Sequence, residues 1–140
     1  MTQPNTGTVL MKPSPLIRIM FDIDDTLVQA EVFDPTALNN AQTPIGDVVN
    51  QINRIRDRGF EVVLFTSRSM DTEHSTRLQL HDAGIAYDGI VFGKPQFDLF
   101  VDNKALKFLG TWDADVSDAY MEEALANREI DEHRYPTFMH

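Results

Sequence analysis

Three acidic side chains, Asp22, Asp24 and Asp25, follow directly on the apolar run LIRIMF at residues 16–21. Such a run suits a strand buried on both faces in a parallel sheet. In open α/β sheets the carboxyl ends of the strands open onto the ligand crevice, so Asp22 and Asp24 are expected at its mouth, able to share one metal ion and one substrate. Three later apolar runs also end in polar side chains. FEVVLF at 60–65 runs into Thr66, Ser67 and Arg68, GIVF at 89–92 into Gly93, Lys94 and Pro95, and FDLFV at 97–101 into Asp102 and Asn103.

The elements that must position these groups are legible in the same pass. Residues 1–15 hold three prolines and no periodicity, which reads as a loose N-terminal arm. Residues 28–40 suit a small β-flap and loop, with no room for a large inserted cap. Thr43 and Pro44 look like an N-cap and first helical position, followed by Ile45, Val48, Val49, Ile52 and Ile55 at helical spacing. Arg54, Arg56 and Arg58 crowd the end of that helix, where its dipole is negative, and Gly59 closes it. The strand, helix, strand order from 16 to 65 is a βαβ unit, which brings both strand ends to one edge of the sheet and sets Thr66 across from Asp22. A second helix is expected over 71–83 with Gly84 as its stop, a third strand at 89–92 and a fourth at 97–101. Ser117 would cap a last helix running to Asn127.

Four strand ends thus carry, in chain order, Asp22 and Asp24, then Thr66, Lys94 and Asp102. This order resembles the four signature motifs of the haloacid dehalogenase (HAD) superfamily of phosphotransferases, whose first motif, Asp-x-Asp-x-Thr, reads here Asp22-Ile23-Asp24-Asp25-Thr26. The resemblance spans residues 16–109. The short interval between Thr26 and Thr66, with the wording LFTSRSM and FGKPQFDLFVDNKA, is similar to small uncapped members encoded with capsule and surface-polysaccharide genes. The resemblance implies an α/β, three-layer Rossmann-like fold with a parallel sheet flanked by helices and no large cap domain. It divides the chain into an arm (1–15), a catalytic core (16–110) and an acidic C-terminal helical extension (111–140).

The same resemblance assigns roles. Asp22 would attack phosphorus to give an aspartyl-phosphate, and Asp24 would protonate the leaving group and later take a proton from water. Thr66 would donate its hydroxyl to a phosphoryl oxygen, with Ser67 beside it. Lys94 would neutralise the phosphoryl group and hold Asp22. Mg2+ would sit on the Asp22 carboxylate, the Asp24 backbone carbonyl and Asp102. Elementary electrostatics agrees, because a phosphate monoester is a dianion that a carboxylate cannot approach without countercharge. Backbone N–H groups after Asp22 would help cradle the phosphate.

Two positions depart from the family's commonest wording. Asp25 stands where many members have Gly and adds negative charge beside an anion site, so its side chain must point away or be paired. Asn103 stands where the fourth motif often has a second Asp, which keeps an oxygen donor and loses a charge. Asp98 reads as structural, since four strand residues place it about 13 Å from Asp102. Arg68 either grips a substrate carboxylate or second phosphate, or pairs with a neighbouring Asp. His74 and His81 read as surface residues, His133 and His140 carry no partner pattern, and Trp112 reads as a residue that closes the core.

With 140 residues, 42% hydrophobic and 24% charged, the chain is bounded as one soluble globular domain, and the absence of cysteine excludes disulfides and thiolate chemistry. Neither a membrane-spanning run nor a signal-peptide pattern is visible, which points to the cytoplasm. The net charge of -10 speaks against nucleic acid as a partner. Much of it lies beyond residue 111, where eight acids face Arg128 and Arg134. The expected activity is a magnesium-dependent phosphatase acting on a small phosphorylated metabolite, with a sugar phosphate favoured. The open crevice implies a homo-oligomer or a flap at 28–33 to close it. Two alternatives stand beside it: a phosphatase of nucleic-acid ends, and a catalytically weak HAD-like binding or regulatory module.

Overall fold

The computed structural model describes residues 15–29 and 44–134. The expected N-terminal arm, apart from Pro15, and most of the expected flap lie outside these residues. Strand β1 (Arg18–Phe21), helix α1 (Val48–Asp57), β2 (Glu61–Phe65), α2 (Glu73–Ala83, led in by a 3-10 turn at Met70–Thr72), β3 (Gly89–Val91) and α3 (Ala114–Arg134) follow in order. The three strands form one parallel sheet in the order β1-β2-β3, flanked by the three helices. This is the α/β, Rossmann-like architecture that the sequence implies. No helix among the described residues is long and apolar enough to cross a membrane.

Register follows from the apolar pattern. Met20 pairs with Val63 and Phe21 with Leu64, while β2 lies centrally with Val62, Val63 and Leu64 all buried. Ile19 and Phe21 join Val62, Leu64, the α1 stripe Val48, Ile52 and Ile55, Leu80 of α2 and Met121 of α3 in one core. At the far edge Asp88 accepts the Val62 N–H at 2.8 Å and pairs with Arg56 at 2.8 Å; the guanidinium, first among these effects, holds its carboxyl below the usual range.

Three expectations are corrected. Helix α1 begins at Val48 and not at Pro44, because Pro44 bridges Val28 and the Ile45 N–H donates to Leu27 O at 2.9 Å, which ties this stretch to the acidic loop. The last helix starts three residues before Ser117 and runs on to Arg134. Its cap is Asp113, whose Oδ1 accepts the Val116 N–H at 2.9 Å, while the buried Ser117 hydroxyl donates to Gln51 Oε1 at 2.6 Å. The acidic extension, whose packing the sequence leaves open, packs on its own domain, since Trp112 and Met121 belong to the same core as the strands.

Residues 97–101 form no strand. The rings of Phe97 and Phe100 meet at 5.4 Å, a contact between residues three apart that an extended strand, with its side chains on alternate faces, does not make. Leu99 and Val101 remain 78% and 86% exposed.

Within the core Gln79 is an anomaly. It is 1% exposed, and neither side-chain amide atom has a hydrogen-bond partner among the described residues. A buried amide without partners costs about 1–3 kcal/mol. Gln79→Met, similar in length and free of that cost, is therefore expected to raise stability by about 1 kcal/mol, read as a higher urea midpoint at unchanged slope; a lower midpoint would show that the amide is satisfied in solution.

Candidate active site

Parallel strands bring their carboxyl ends to one edge, and the polar residues that follow them gather there. Asp22 directly follows β1, Thr66 directly follows β2, and Lys94 follows β3 after Phe92 and Gly93. The Lys94 Nζ lies 3.3 Å from Asp22 Oδ1 and 5.5 Å from the ring centres of both Phe65 and Phe97, so two aromatic faces flank the ammonium beside the carboxylate. Backbone bonds fix the loop that carries it, with the Lys94 N–H donating to Thr66 O at 2.8 Å and the Gly93 N–H to Arg68 O at 2.9 Å.

Asp22 Oδ1 also accepts the Ile23 N–H at 2.9 Å. Both of these Asp22 contacts fall on Oδ1, which orients the carboxylate. The loop beyond it is a tight turn in which Leu27 and Val28 N–H both donate to Ile23 O, while Asp25 N–H donates to Val28 O at 2.7 Å. The N–H groups of Ile23, Asp25 and Thr26 thus have acceptors inside the loop. Asp25 takes φ 62°, in the left-handed region where glycine is at ease and Asp is among the better-tolerated residues. The Asp25 residue is exposed.

Thr66 is fully buried, and its Oγ1 accepts the Arg68 N–H at 3.1 Å. With that lone pair engaged, the hydroxyl keeps its own proton to donate. Ser67 is exposed at the rim.

Arg68 takes the second of its two expected roles. Its Nη2 and Nε lie 2.7 and 3.0 Å from Asp24 Oδ1 and Oδ2, a bidentate fork, and its Nη1 donates to Thr76 Oγ1 at 3.2 Å. The guanidinium is buried, with 5% of the side chain exposed, against 27% for Asp24. It serves Asp24 and is turned away from solvent, so a substrate grip is not its place here.

Asp102 borders the same groove as Asp22 and Lys94, a space of about 590 Å³ that runs along β1 toward Phe108 and Tyr120. Its own Oδ1 accepts the Lys104 N–H at 2.9 Å, and Lys104 reaches on to Asp131. Among the described residues no three His, Cys, Asp or Glu side chains are close enough to enclose an ion. The donor set is nevertheless of the kind magnesium takes, which is one or two carboxylates with the remaining positions left to water. Asp22 and Asp102, which both line the groove, are carboxylates of that kind.

Sequence reasoning did not see the aromatic pair about Lys94, the Thr76 hydroxyl behind Arg68, or the Trp112 Nε1–H that donates to Thr26 O at 2.7 Å and ties the acidic loop to the C-terminal segment. The contacts of Lys94 with Phe65 and of Trp112 with Thr26 join residues distant in sequence, which no local pattern signals, while those of Lys94 with Phe97 and of Arg68 with Thr76 depend on how the loops after β3 and β2 fold.

No family model and no curated protein matches the chain. Among solved structures, the crystal structure of a structural-genomics target from Vibrio cholerae is similar to it, at 24% sequence identity and a TM-score of 0.55, over 76% of this chain and 97% of that one. At that identity the likeness shows the fold alone: a small α/β domain with the strand ends of its sheet on one edge.

Proposed function

We propose that this chain is a HAD-type phosphomonoester hydrolase that works with Mg2+ on a small phosphorylated metabolite in the cytoplasm. The observation that carries the reading is the Asp22–Lys94 pair, which joins the ends of β1 and β3 across the end of the central strand β2, where Thr66 sits. Asp22 Oδ2 attacks phosphorus, the bond from phosphorus to the ester oxygen breaks, and the proton of Asp24 goes to the departing alcohol. Water then attacks the aspartyl-phosphate, gives its proton to Asp24, and releases phosphate with Asp22 restored. Lys94 and Thr66 meet the charge that gathers on the phosphoryl oxygens. Asp22, Asp102 and the Asp24 carbonyl would hold magnesium, which would supply further countercharge.

The reading of the site as a phosphatase of nucleic-acid ends loses support, since Arg54 and Arg58 both reach Asp118 and Arg56 pairs with Asp88, leaving no uncommitted basic cluster there. The regulatory-module reading has one specific observation in its favour, the engagement of both Asp24 oxygens by Arg68. Hydrolysis of an aryl phosphate with magnesium and with EDTA decides between them. Magnesium-dependent turnover supports the enzyme, and absence of both turnover and beryllofluoride binding supports the module. A panel of sugar phosphates then addresses the substrate.

A further inference from the structure

We infer that Arg68 is a positioning residue for proton transfer, fixing the plane of the Asp24 carboxylate while its backbone ties together the loops that carry Thr66 and Lys94. The inference rests on the phosphatase reading and adds to it a residue and a dependence on the leaving group. Three independent contacts support it. The side chain holds Asp24 by a two-point fork, the N–H is held by Thr66 Oγ1, and the carbonyl accepts the N–H of Gly93 beside Lys94. One residue thus touches all three strand-end loops. Burial of the guanidinium and its bond to Thr76 of α2 leave it little freedom to turn elsewhere.

The fork has a chemical consequence. A carboxylate has about four acceptor positions, and a bidentate guanidinium occupies two, one on each oxygen. Either oxygen retains a second lone pair on which the proton for the leaving alcohol can sit. When that proton moves to the departing oxygen, Asp24 becomes anionic against a fixed cation, so the charge is met without rearrangement. In the second half-reaction the same lone pair receives a proton from the attacking water. A lysine at this position keeps a cation and loses the fork, and with it the fixed plane.

Proton donation matters in proportion to how poor the leaving group is. A nitrophenolate leaves without help, whereas an alkoxide does not. The value of kcat/KM reports only steps through departure of the alcohol, and so is insensitive to the later hydrolysis of the aspartyl-phosphate. The experiment compares the wild type with Arg68→Ala and Arg68→Lys, in kcat/KM on an aryl phosphate and on a simple alkyl phosphate, with magnesium present. Both variants are expected to lose about 100-fold or more on the alkyl ester and about tenfold or less on the aryl ester. Free guanidinium ion is expected to restore part of the alkyl activity of Arg68→Ala. Beryllofluoride affinity, which requires no acid, is expected to stay within about threefold in Arg68→Lys, and this variant serves alone if Arg68→Ala does not fold. Equal losses on both esters, or loss of beryllofluoride binding in Arg68→Lys, would show a scaffold role and overturn the inference. A wild-type enzyme that hydrolyses neither ester and binds no beryllofluoride overturns the phosphatase reading itself, and this inference with it.

Discussion

Asp22→Asn is expected to remove phosphatase turnover by a factor on the order of 10⁴ or more while leaving the fold in place. The amide keeps an oxygen that can accept the Ile23 N–H, now 2.9 Å from Asp22 Oδ1, so the turn after β1 retains its anchor. The side chain is 38% exposed and its partner Lys94 is 15% exposed, so the lost ion pair is partly screened and the stability change is expected to stay within about 1 kcal/mol. What disappears is nucleophilicity, since a neutral amide cannot attack a phosphoryl group. The check is steady-state hydrolysis of an aryl phosphate beside a urea titration of both proteins. Mass spectrometry adds a direct reading, a phosphoryl adduct on the wild type that the variant lacks. If Asp22→Asn retains more than about a tenth of the activity, the reaction does not pass through an aspartyl-phosphate on this residue, and activated water becomes the nucleophile to consider.

What the sequence disclosed follows from the kind of signal each feature carries. Asp22, Thr66 and Lys94 were legible because each sits just past a short apolar run, and a buried parallel strand is one of few structures such a run can form. FDLFV at 97–101 shows the limit of that inference. Its apolar residues fit a strand in composition, yet Phe97 and Phe100 are also spaced to meet across a turn, and composition cannot choose between the two. Pro44 misled for a related reason: its fixed φ suits a first helical position and an extended bridge alike, and the tertiary contact to Val28 decided the matter. Asp113 and Ser117 are both good caps, and a buried acceptor on Gln51 claimed the second. Arg68 had two readings, separated only by the fact that Asp24, 44 residues away, lies within reach of its fork.

Trp112→Ala is expected to destabilise the protein by about 3–5 kcal/mol, the range for emptying a large aromatic site in a core. The indole is 4% exposed and lies among Phe21, Phe108 and Tyr120 at ring-centre distances of 5.4, 5.6 and 5.7 Å, so it joins the last residue of β1 to both α3 and the segment before it. Against a total stability of about 5–15 kcal/mol for a domain of this size, the loss is large enough to leave a measurable unfolded population at room temperature. Trp112→Phe separates the two parts of the effect. It keeps most of the ring volume and removes only the Nε1–H that donates to Thr26 O, leaving that carbonyl without its indole partner at a cost of about 1–3 kcal/mol. Because Thr26 lies in the turn that presents Asp22 and Asp24, the smaller change is expected to speed hydrogen exchange at Leu27 and Val28, whose N–H groups close that turn on Ile23 O. Urea titration measures the first quantity and amide exchange the second. A Trp112→Phe protein as stable as the wild type, with unchanged exchange in the turn, would show that the C-terminal segment supports the core but does not brace the acidic loop.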